Sequence, residues 1–211
     1  MISPCDTVAA LHRLAEERAV FHSEADFQHA LAWSIQKKNP AISVRLELPF
    51  RTDASSEYLD LLFADGQRSL AVELKYKTRT LALSHAGEDF RLKNQGAQDI
   101  GRYDFLADVQ RLERFVAAER ATAGCAILLT NEPSYWRESA RVGTVDTHFR
   151  LSEGRVLRGS LGWLGHASPG TTRNREKPIV LKGTYTAAWK SFSKPSAEPG
   201  GEFRYLVWHV G

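Results

Sequence analysis

The sequence predicts an α/β fold, and three patterns along the chain indicate it. Apolar residues recur at helical spacing in three segments, residues 4–19, 24–37 and 96–121. Apolar and polar residues alternate over residues 42–49 and on both sides of Asp65-Gly66, which is typical of half-buried strands joined by a tight turn. Residues 125–130 form a continuous apolar strand. After the N-terminal helix, the predicted order is therefore helix, three strands, helix and strand.

Capping residues and proline mark the ends of some of these elements. Ser23 is the predicted N-cap of the second helix, and Asn39-Pro40 is expected to end it. The polar stretch over residues 78–94 is expected to be a loop. Beyond residue 131, four segments are expected to be further strands, HFRL, RVLRGSLGW, IVLKGTY and EFRYLVWHV. We therefore expect one domain over residues 1–211, with a core at about 20–131 and a β-rich extension at about 132–211.

Composition narrows the class of protein. No stretch reaches the roughly 18 unbroken apolar residues of a membrane span, and no secretory signal pattern begins the chain. Cys5 and Cys125 lack metal-type spacing, so we expect reduced thiols and a cytoplasmic location. The net charge of +3 is uneven, with −3 over residues 1–133 and +6 over residues 134–211. A basic C-terminal segment suits a polyanionic substrate, although an ordinary solvated surface explains the charge equally well.

Several catalytic classes are excluded by their missing motifs. The chain has no GxxxxGK[ST], HExxH or GxSxG sequence, which argues against a P-loop, a zincin or a hydrolase elbow. His22-Ser23-Glu24 resembles the first half of a zinc deaminase motif, but the PCxxC half is missing.

Three residues of the predicted hairpin carry the strongest functional signal. Along its second strand, Glu73 and Lys75 point to one side of the sheet while Leu74 points to the other. With a two-residue Asp65-Gly66 loop, we expect Asp60 to be the diagonal neighbour of Glu73 on that same side, roughly 7–8 Å away at the backbone. Two carboxylates and an ammonium would then converge, an arrangement suited to holding a divalent cation beside a phosphate.

This pattern resembles the signature of the PD-(D/E)XK nuclease superfamily, an Asp on one strand followed by Glu-x-Lys on the next. Asp60 matches the first position, and Glu73 and Lys75 match the second; Glu73-Leu74-Lys75 is the only acid-x-Lys triplet in the chain. The resemblance covers residues 20–131. It implies a restriction-endonuclease-like αβββαβ core with a mixed central sheet, in a Mg²⁺-dependent nuclease acting on DNA.

The resemblance also implies a role for each site residue. The carboxylates of Asp60 and Glu73 and the carbonyl of Leu74 would hold Mg²⁺, or Mn²⁺ in its place, beside the scissile phosphate. Lys75 should stay protonated beside two carboxylates, so that it stabilises the charge developing in the reaction. Glu24 resembles the Glu that many members carry on the preceding helix, although acids in a first helical turn also complement the helix dipole.

Other polar and aromatic residues have weaker assignments. Candidates for contacts with nucleic-acid phosphates are Lys77, Arg79, Lys93, Arg102, Arg173 and Arg175, each of which could also be an ordinary solvated side chain. An intrahelical row of ion pairs is expected from Asp104, Asp108 and Arg111. Base stacking is open to Trp136, Trp163, Trp189 and Trp208, but core positions explain them more simply.

The sequence thus predicts a metal-dependent nuclease with nucleic acid as its partner, and a homodimer would supply one site for each strand of a duplex. One alternative is a catalytically silent module of the same fold that binds nucleic acid or serves in an assembly. Another is an unrelated α/β protein whose basic C-terminal segment makes protein contacts. A three-residue hairpin loop would favour the latter, because it sends Asp60 and Glu73 to opposite faces.

Overall fold

A six-stranded mixed sheet lies at the centre of the computed structural model, which describes residues 2–51 and 56–211. Within these residues the helices are α1 (Pro4–Glu17), α2 (Glu24–Lys38), α3 (Gln98–Ala117) and the short α4 (Pro169–Thr172). The strands are β1 (Ser43–Arg51), β2 (Ser56–Ala64), β3 (Ser69–Lys77), β4 (Leu81–His85), β5 (Glu88–Leu92), β6 (Ala123–Thr130), β7 (Val156–Leu161), β8 (Ile179–Thr186), β9 (Lys190–Ser193) and β10 (Phe203–Val210).

The sheet confirms the predicted α/β class and its mixed strand directions. Its order is β1-β2-β3-β6-β10-β9, in which β3 and β6 run parallel and the other neighbours run antiparallel. Helix α3 lies between β3 and β6 in the chain, as a connection between parallel strands requires. The pairs β4–β5 and β7–β8 form two separate hairpins.

Each face of the sheet is covered by its own hydrophobic core. On one face, α1 and α2 pack on alternate residues of β3, among them Leu70, Val72 and Leu74. On the other face, α3 and the β7–β8 hairpin pack over Ala71 and the facing residues of β6 and β10. Glu73 lies on this second face and is fully buried there, so a carboxylate occupies a position that a hydrophobic residue would normally fill.

The loop between β2 and β3 is longer than the sequence predicts. Ala64 pairs with Ser69, so the loop has four residues, and the backbone N–H of Asp65 donates to the carbonyl of Arg68 at 3.1 Å. Two extra residues preserve the parity of the pairing over Leu61–Ala64. The register shifts by two and the ladder ends at Leu61–Val72, so Asp60 is not the diagonal cross-strand neighbour of Glu73 that the sequence predicts.

The expectation of a loop over residues 78–94 is wrong, because this segment contains the β4–β5 hairpin. Its alternating apolar residues, including Leu81, Phe90 and Leu92, are buried against α2 and the sheet. Ala86 and Gly87 both have positive φ and form its tight turn. The polar residues of the exposed side conceal the alternation in the sequence.

The C-terminal third contains three of the four predicted strands. The segments RVLRGSLGW, IVLKGTY and EFRYLVWHV correspond to β7, β8 and β10. HFRL is not a strand, because Thr147–Phe149 forms a 3₁₀ turn. The short β9 was not predicted, and together with β10 it extends the central sheet. None of the helices in the described residues is both long and apolar enough to cross a membrane.

The two cysteines lie in contrasting environments, which gives a first prediction. Cys5 is exposed, whereas Cys125 is fully buried in β6 and burial raises the pKa of its thiol to about 12. Because the thiolate is the reactive form, Cys125 should be inert at pH 8. Ellman's reagent is expected to modify one thiol per folded chain and two in guanidinium chloride. Cys5→Ser should abolish the reaction of the folded protein, and two rapidly reacting native thiols would contradict this packing.

Candidate functional site

Strands β2 and β3 separate part of the way along the sheet and leave a notch. Their pairing ends at Leu61–Val72, although β2 begins at Ser56 and β3 continues to Lys77. The first residues of β2 pair with β1, while the last residues of β3 pair with β6. Backbone groups of β3 that would have bonded to β2 therefore face the gap.

Two carboxylates fill this gap by accepting the unpaired N–H groups of β3. The N–H of Leu74 donates to Asp60 Oδ2 at 2.7 Å, and the N–H of Tyr76 donates to Glu24 Oε2 at 2.7 Å. Asp60 comes from β2, and Glu24 from the first turn of α2, whose N-cap is Ser23 as predicted. Because the N–H and C=O of a strand residue point the same way, the carbonyl of Leu74 also faces the notch.

A distortion in β1 accompanies the separation. The pairing of β1 with β2 passes from Leu46–Leu61 to Leu48–Leu59 without pairing Glu47 and Asp60. Glu47 has φ of 49°, a strained value for a residue with a side chain. Consistent with a local twist, Leu61 belongs to one hydrophobic core and Leu59 to the other.

Gln28 holds the distorted strands against α2. Its Nε2 donates to the backbone carbonyl of Asp60 and to Glu47 Oε1, both at 2.8 Å. Gln28 lies one helical turn after Glu24, so one face of α2 provides both a carboxylate for the notch and a clamp on β2.

Glu73 is paired with a residue that the sequence did not indicate. Its Oε1 accepts from Nε of Arg111 on α3 at 2.6 Å, whereas its Oε2 is buried and has no hydrogen-bond partner. Arg111 also donates to Asp108 Oδ1 at 2.7 Å, one turn earlier on the helix. A buried carboxylate with one free oxygen is an unsatisfied acceptor, which a cation would satisfy.

Lys75 completes the cluster between β3 and α3. Its Nζ lies 2.9 Å from Asp108 Oδ2 without the alignment of a hydrogen bond, and it donates at 3.4 Å to the carbonyl of Leu74. The side chain is only 16% exposed, so its charge is stabilised mainly by neighbouring protein groups and little by water.

The environment shifts the pKa of each central group. Burial raises the pKa of Glu73, against the opposing effect of its bond to Arg111, and burial also raises the pKa of Asp60. For Lys75, burial lowers the pKa, but the carboxylates of Asp108, Glu24 and Asp60 more than offset it and raise it above the ordinary value. Lys75 is thus firmly protonated. Perturbed pKa values of this kind concentrate at functional sites.

The structure therefore brings together all four predicted catalytic residues, Glu24, Asp60, Glu73 and Lys75. The predicted ligands Asp60, Glu73 and Leu74 adjoin one another, but in the part of the chain that the structure describes no group of three or more His, Cys, Asp or Glu side chains is arranged to hold a metal ion. The donor types are nonetheless carboxylate and carbonyl oxygens, which suit Mg²⁺, and Glu73 Oε2 is an unused acceptor.

The basic residues predicted to contact nucleic acid divide into two groups. Arg79, Lys93 and Arg173 are exposed, and Lys77, the last residue of β3, is half-buried. Lys93 lines a small cavity of about 210 Å³ that also contains Glu24 and the exposed Arg91.

Arg102 and Arg175 are engaged within the protein. The side chain of Arg102 is 3% exposed and pairs with Asp146 at 2.7 Å, so it does not reach a phosphate at the surface. Arg175 makes a two-pronged contact with Asp104 at 2.7 and 3.0 Å.

The sequence did not predict the contacts that α3 makes with Glu73 and Lys75. The Asp108–Arg111 pair was expected within the helix and is present, but both residues also contact β3, and Asp104 pairs with Arg175 instead. The sequence does contain a hint of these contacts, because Asp104, Asp108 and Arg111 recur at helical spacing in a helix that is otherwise rich in apolar residues. Glu47 gave no sequence signal.

Removing the partner of Glu73 should destabilise the fold. Arg111→Met leaves a buried carboxylate unpaired, which costs about 3–5 kcal/mol of unfolding free energy at pH 8. Arg114→Met is the matched control, because that half-exposed residue pairs with Glu57 at 3.3 Å and contributes only about 0–1 kcal/mol. Urea denaturation measures both changes. Equal small losses would contradict the buried ion pair, and Glu73→Gln combined with Arg111→Met should recover part of the loss.

Comparison with known proteins finds no matching family, no similar curated protein and no similar solved structure.

Proposed function

We propose that this protein is a metal-dependent nuclease that hydrolyses phosphodiester bonds in DNA. The observation that carries the proposal is the convergence of Glu24, Asp60, Glu73 and Lys75 around one notch in the sheet. Three carboxylates and a protonated lysine, gathered from α2, β2 and β3, are more than a sheet covered on both faces needs for stability. The raised pKa values of Asp60, Glu73 and Lys75 are of the kind that concentrates at functional sites.

The oxygens at the notch fit a hard divalent cation in type. We propose that Asp60, Glu73 and the Leu74 carbonyl would hold Mg²⁺, with Mn²⁺ as a substitute. When bound, the ion would polarise the phosphate and lower the pKa of water. Glu73 has one carboxylate oxygen free for this purpose. Glu24 and Asp60 are held at the gap by backbone N–H donors, so little reordering of their side chains is required.

Lys75 stabilises negative charge in this proposal. Because its pKa is raised, it retains its proton at neutral pH and does not act as a general base. Its Nζ lies next to the Leu74 carbonyl and Asp108, where it would donate to a phosphate oxygen as charge builds up.

The surrounding cations give the substrate a path to the notch. Exposed Arg79 and Lys93 and half-buried Lys77 follow directly from β3 and the β4–β5 hairpin. Such residues bind phosphates without reading sequence. We leave Arg102 out of this path because of its burial, and Arg175 because of its bond to Asp104.

The restriction-endonuclease-like fold is part of the same proposal. The succession α2, β1, β2, β3, α3 and β6, with β3 and β6 parallel, agrees with an αβββαβ core once the β4–β5 hairpin is treated as an insertion. A cytoplasmic location and a homodimer that cuts both strands remain expectations within this proposal.

A second candidate is a silent module that keeps the notch without turnover. It is favoured by the internal pairing of the charges, since Glu73 forms an ion pair with Arg111 and Lys75 forms one with Asp108. In this case, metal binding would be absent because the carboxylates are already neutralised. Titration calorimetry with Mn²⁺ distinguishes the two, because binding that disappears in Asp60→Asn supports the nuclease and its absence in the wild type supports the module.

Cleavage of supercoiled plasmid tests the nuclease directly. We expect nicking with Mg²⁺ and none with EDTA, and at least about a hundredfold loss of rate in Asp60→Asn, Glu73→Gln and Lys75→Ala, since each removes charge stabilisation at the reacting phosphate. Exposed Glu198→Gln and Lys194→Ala are charge-matched controls and should cut at the wild-type rate.

Thermal unfolding followed by circular dichroism shows whether each variant is folded under the assay conditions. Cutting that persists in EDTA, or that is equally fast in folded Asp60→Asn, would rule out this site as the source of the activity.

A further inference from the structure

A groove between α1 and α2 forms a separate surface on the outer side of the helical pair. It has a volume of about 590 Å³ and is lined by α1 residues such as Arg13 and by α2 residues such as Trp33 and Lys37. Trp33 follows Glu24 by nine residues, which places it about 14 Å further along the helix and on its opposite side. The groove therefore does not open into the notch.

Trp33 is the feature of this groove that the fold does not explain. It is 69% exposed, although tryptophan is among the residues that gain most from burial. The other tryptophans behave differently, since Trp136, Trp189 and Trp208 are buried and Trp163 packs against Tyr103 and Phe149. The four tryptophans that were candidates for base stacking therefore pack within the protein, whereas the exposed Trp33 lies in the groove.

The groove that contains Trp33 has an excess of positive charge, since Arg13, Arg18, Lys37 and Lys38 line it together with the acids Glu17 and Asp26. Lys37 and Lys38 are exposed at the end of α2, and neither has an ion-pair partner among the described residues. Arg18 is neutralised by Asp26 through two contacts of 2.9 and 3.0 Å. Lysines near a helix C-terminus also favour the helix dipole, but two ammonium groups one helical turn beyond an exposed ring, in the same groove, make an anionic, aromatic ligand the complementary one.

Two polar contacts join the walls of the groove. Nη2 of Arg13 on α1 donates to the carbonyl of Ser34 on α2 at 3.2 Å, and the Arg18–Asp26 pair joins the two helices at the other end. Leu14 and Ala30 contribute an apolar base between these contacts. Walls that are already joined lose less conformational entropy when a ligand binds.

We infer that this groove is a nucleotide-binding site, in which a base stacks on Trp33 and the adjoining phosphates lie against Lys37, Lys38 and Arg13. Stacking on an exposed aromatic ring tolerates any base, and lysines read phosphate charge without sequence preference. The ligand is a free mononucleotide or a single-stranded segment of nucleic acid, which share this chemistry. The inference does not depend on cleavage at the notch.

The test measures binding of a fluorescein-labelled eight-residue oligothymidylate and of AMP in EDTA, by anisotropy and by quenching of tryptophan emission. We expect Trp33→Ala to weaken binding about tenfold and to remove the quenching. Lys37→Gln with Lys38→Gln should weaken binding and reduce the slope of log affinity against log salt by about 1.4, since each phosphate contact on a single strand contributes about 0.7. The matched control is Lys182→Gln with Lys194→Gln, two exposed lysines outside the groove.

Binding of AMP as strong as that of the oligonucleotide identifies a free nucleotide, and tighter binding of the oligonucleotide identifies a single strand; both support the site. Wild-type affinity in the folded groove variants, an effect of the control equal to theirs, or a Trp33-dependent dimer in sedimentation would overturn it. The two proposals fail separately, because binding to the groove is measured in EDTA, where the notch is not expected to cut, and cleavage is measured in a different assay with Mg²⁺.

Discussion

The candidate site depends on one constraint, the separation of β2 from β3 after the pair Leu61–Val72. A sheet that remained paired to the end of β3 would use the N–H groups of Leu74 and Tyr76 in its own ladder. Because β2 departs, these donors need other acceptors, since buried backbone groups are rarely left unpaired. Carboxylates from Asp60 and Glu24 meet that need. The same break in the ladder therefore gathers the acids and leaves a carbonyl of β3 facing them.

The price of this arrangement is a group of charges enclosed between β3 and α3. Glu73 is buried, one of its oxygens is unsatisfied, and Arg111 neutralises the other. Well-packed apolar residues usually stabilise such an interface as well as a buried ion pair does. Stability alone therefore gives no reason for an acid at this position, whereas a cation-binding role does. The strained φ of Glu47, next to Asp60 in the sheet, points the same way.

The sequence predicted the parts of this structure that depend on local pattern. Helix α2, its Ser23 cap and strand β6 follow from spacing and capping chemistry. Alternation alone did not place Asp60, because β2 twists between Leu59 and Leu61, which belong to opposite cores. The four-residue loop shows why register is harder, since Asp65-Gly66 permits more than one loop length. The partners of Glu73 and Lys75 depend on how α3 packs across the sheet, which is a long-range contact. The β4–β5 hairpin was missed because half of its residues are polar and exposed.

The most direct test of this account is the position of a bound paramagnetic ion, measured by broadening of backbone amide signals in a ¹⁵N-labelled sample with substoichiometric Mn²⁺. The account predicts that the signals of Asp60, Leu74 and Lys75 broaden first, and that Asp60→Asn removes the effect at the same Mn²⁺ concentration. Broadening centred elsewhere in the chain, or unchanged in folded Asp60→Asn, would contradict a cation site at the notch.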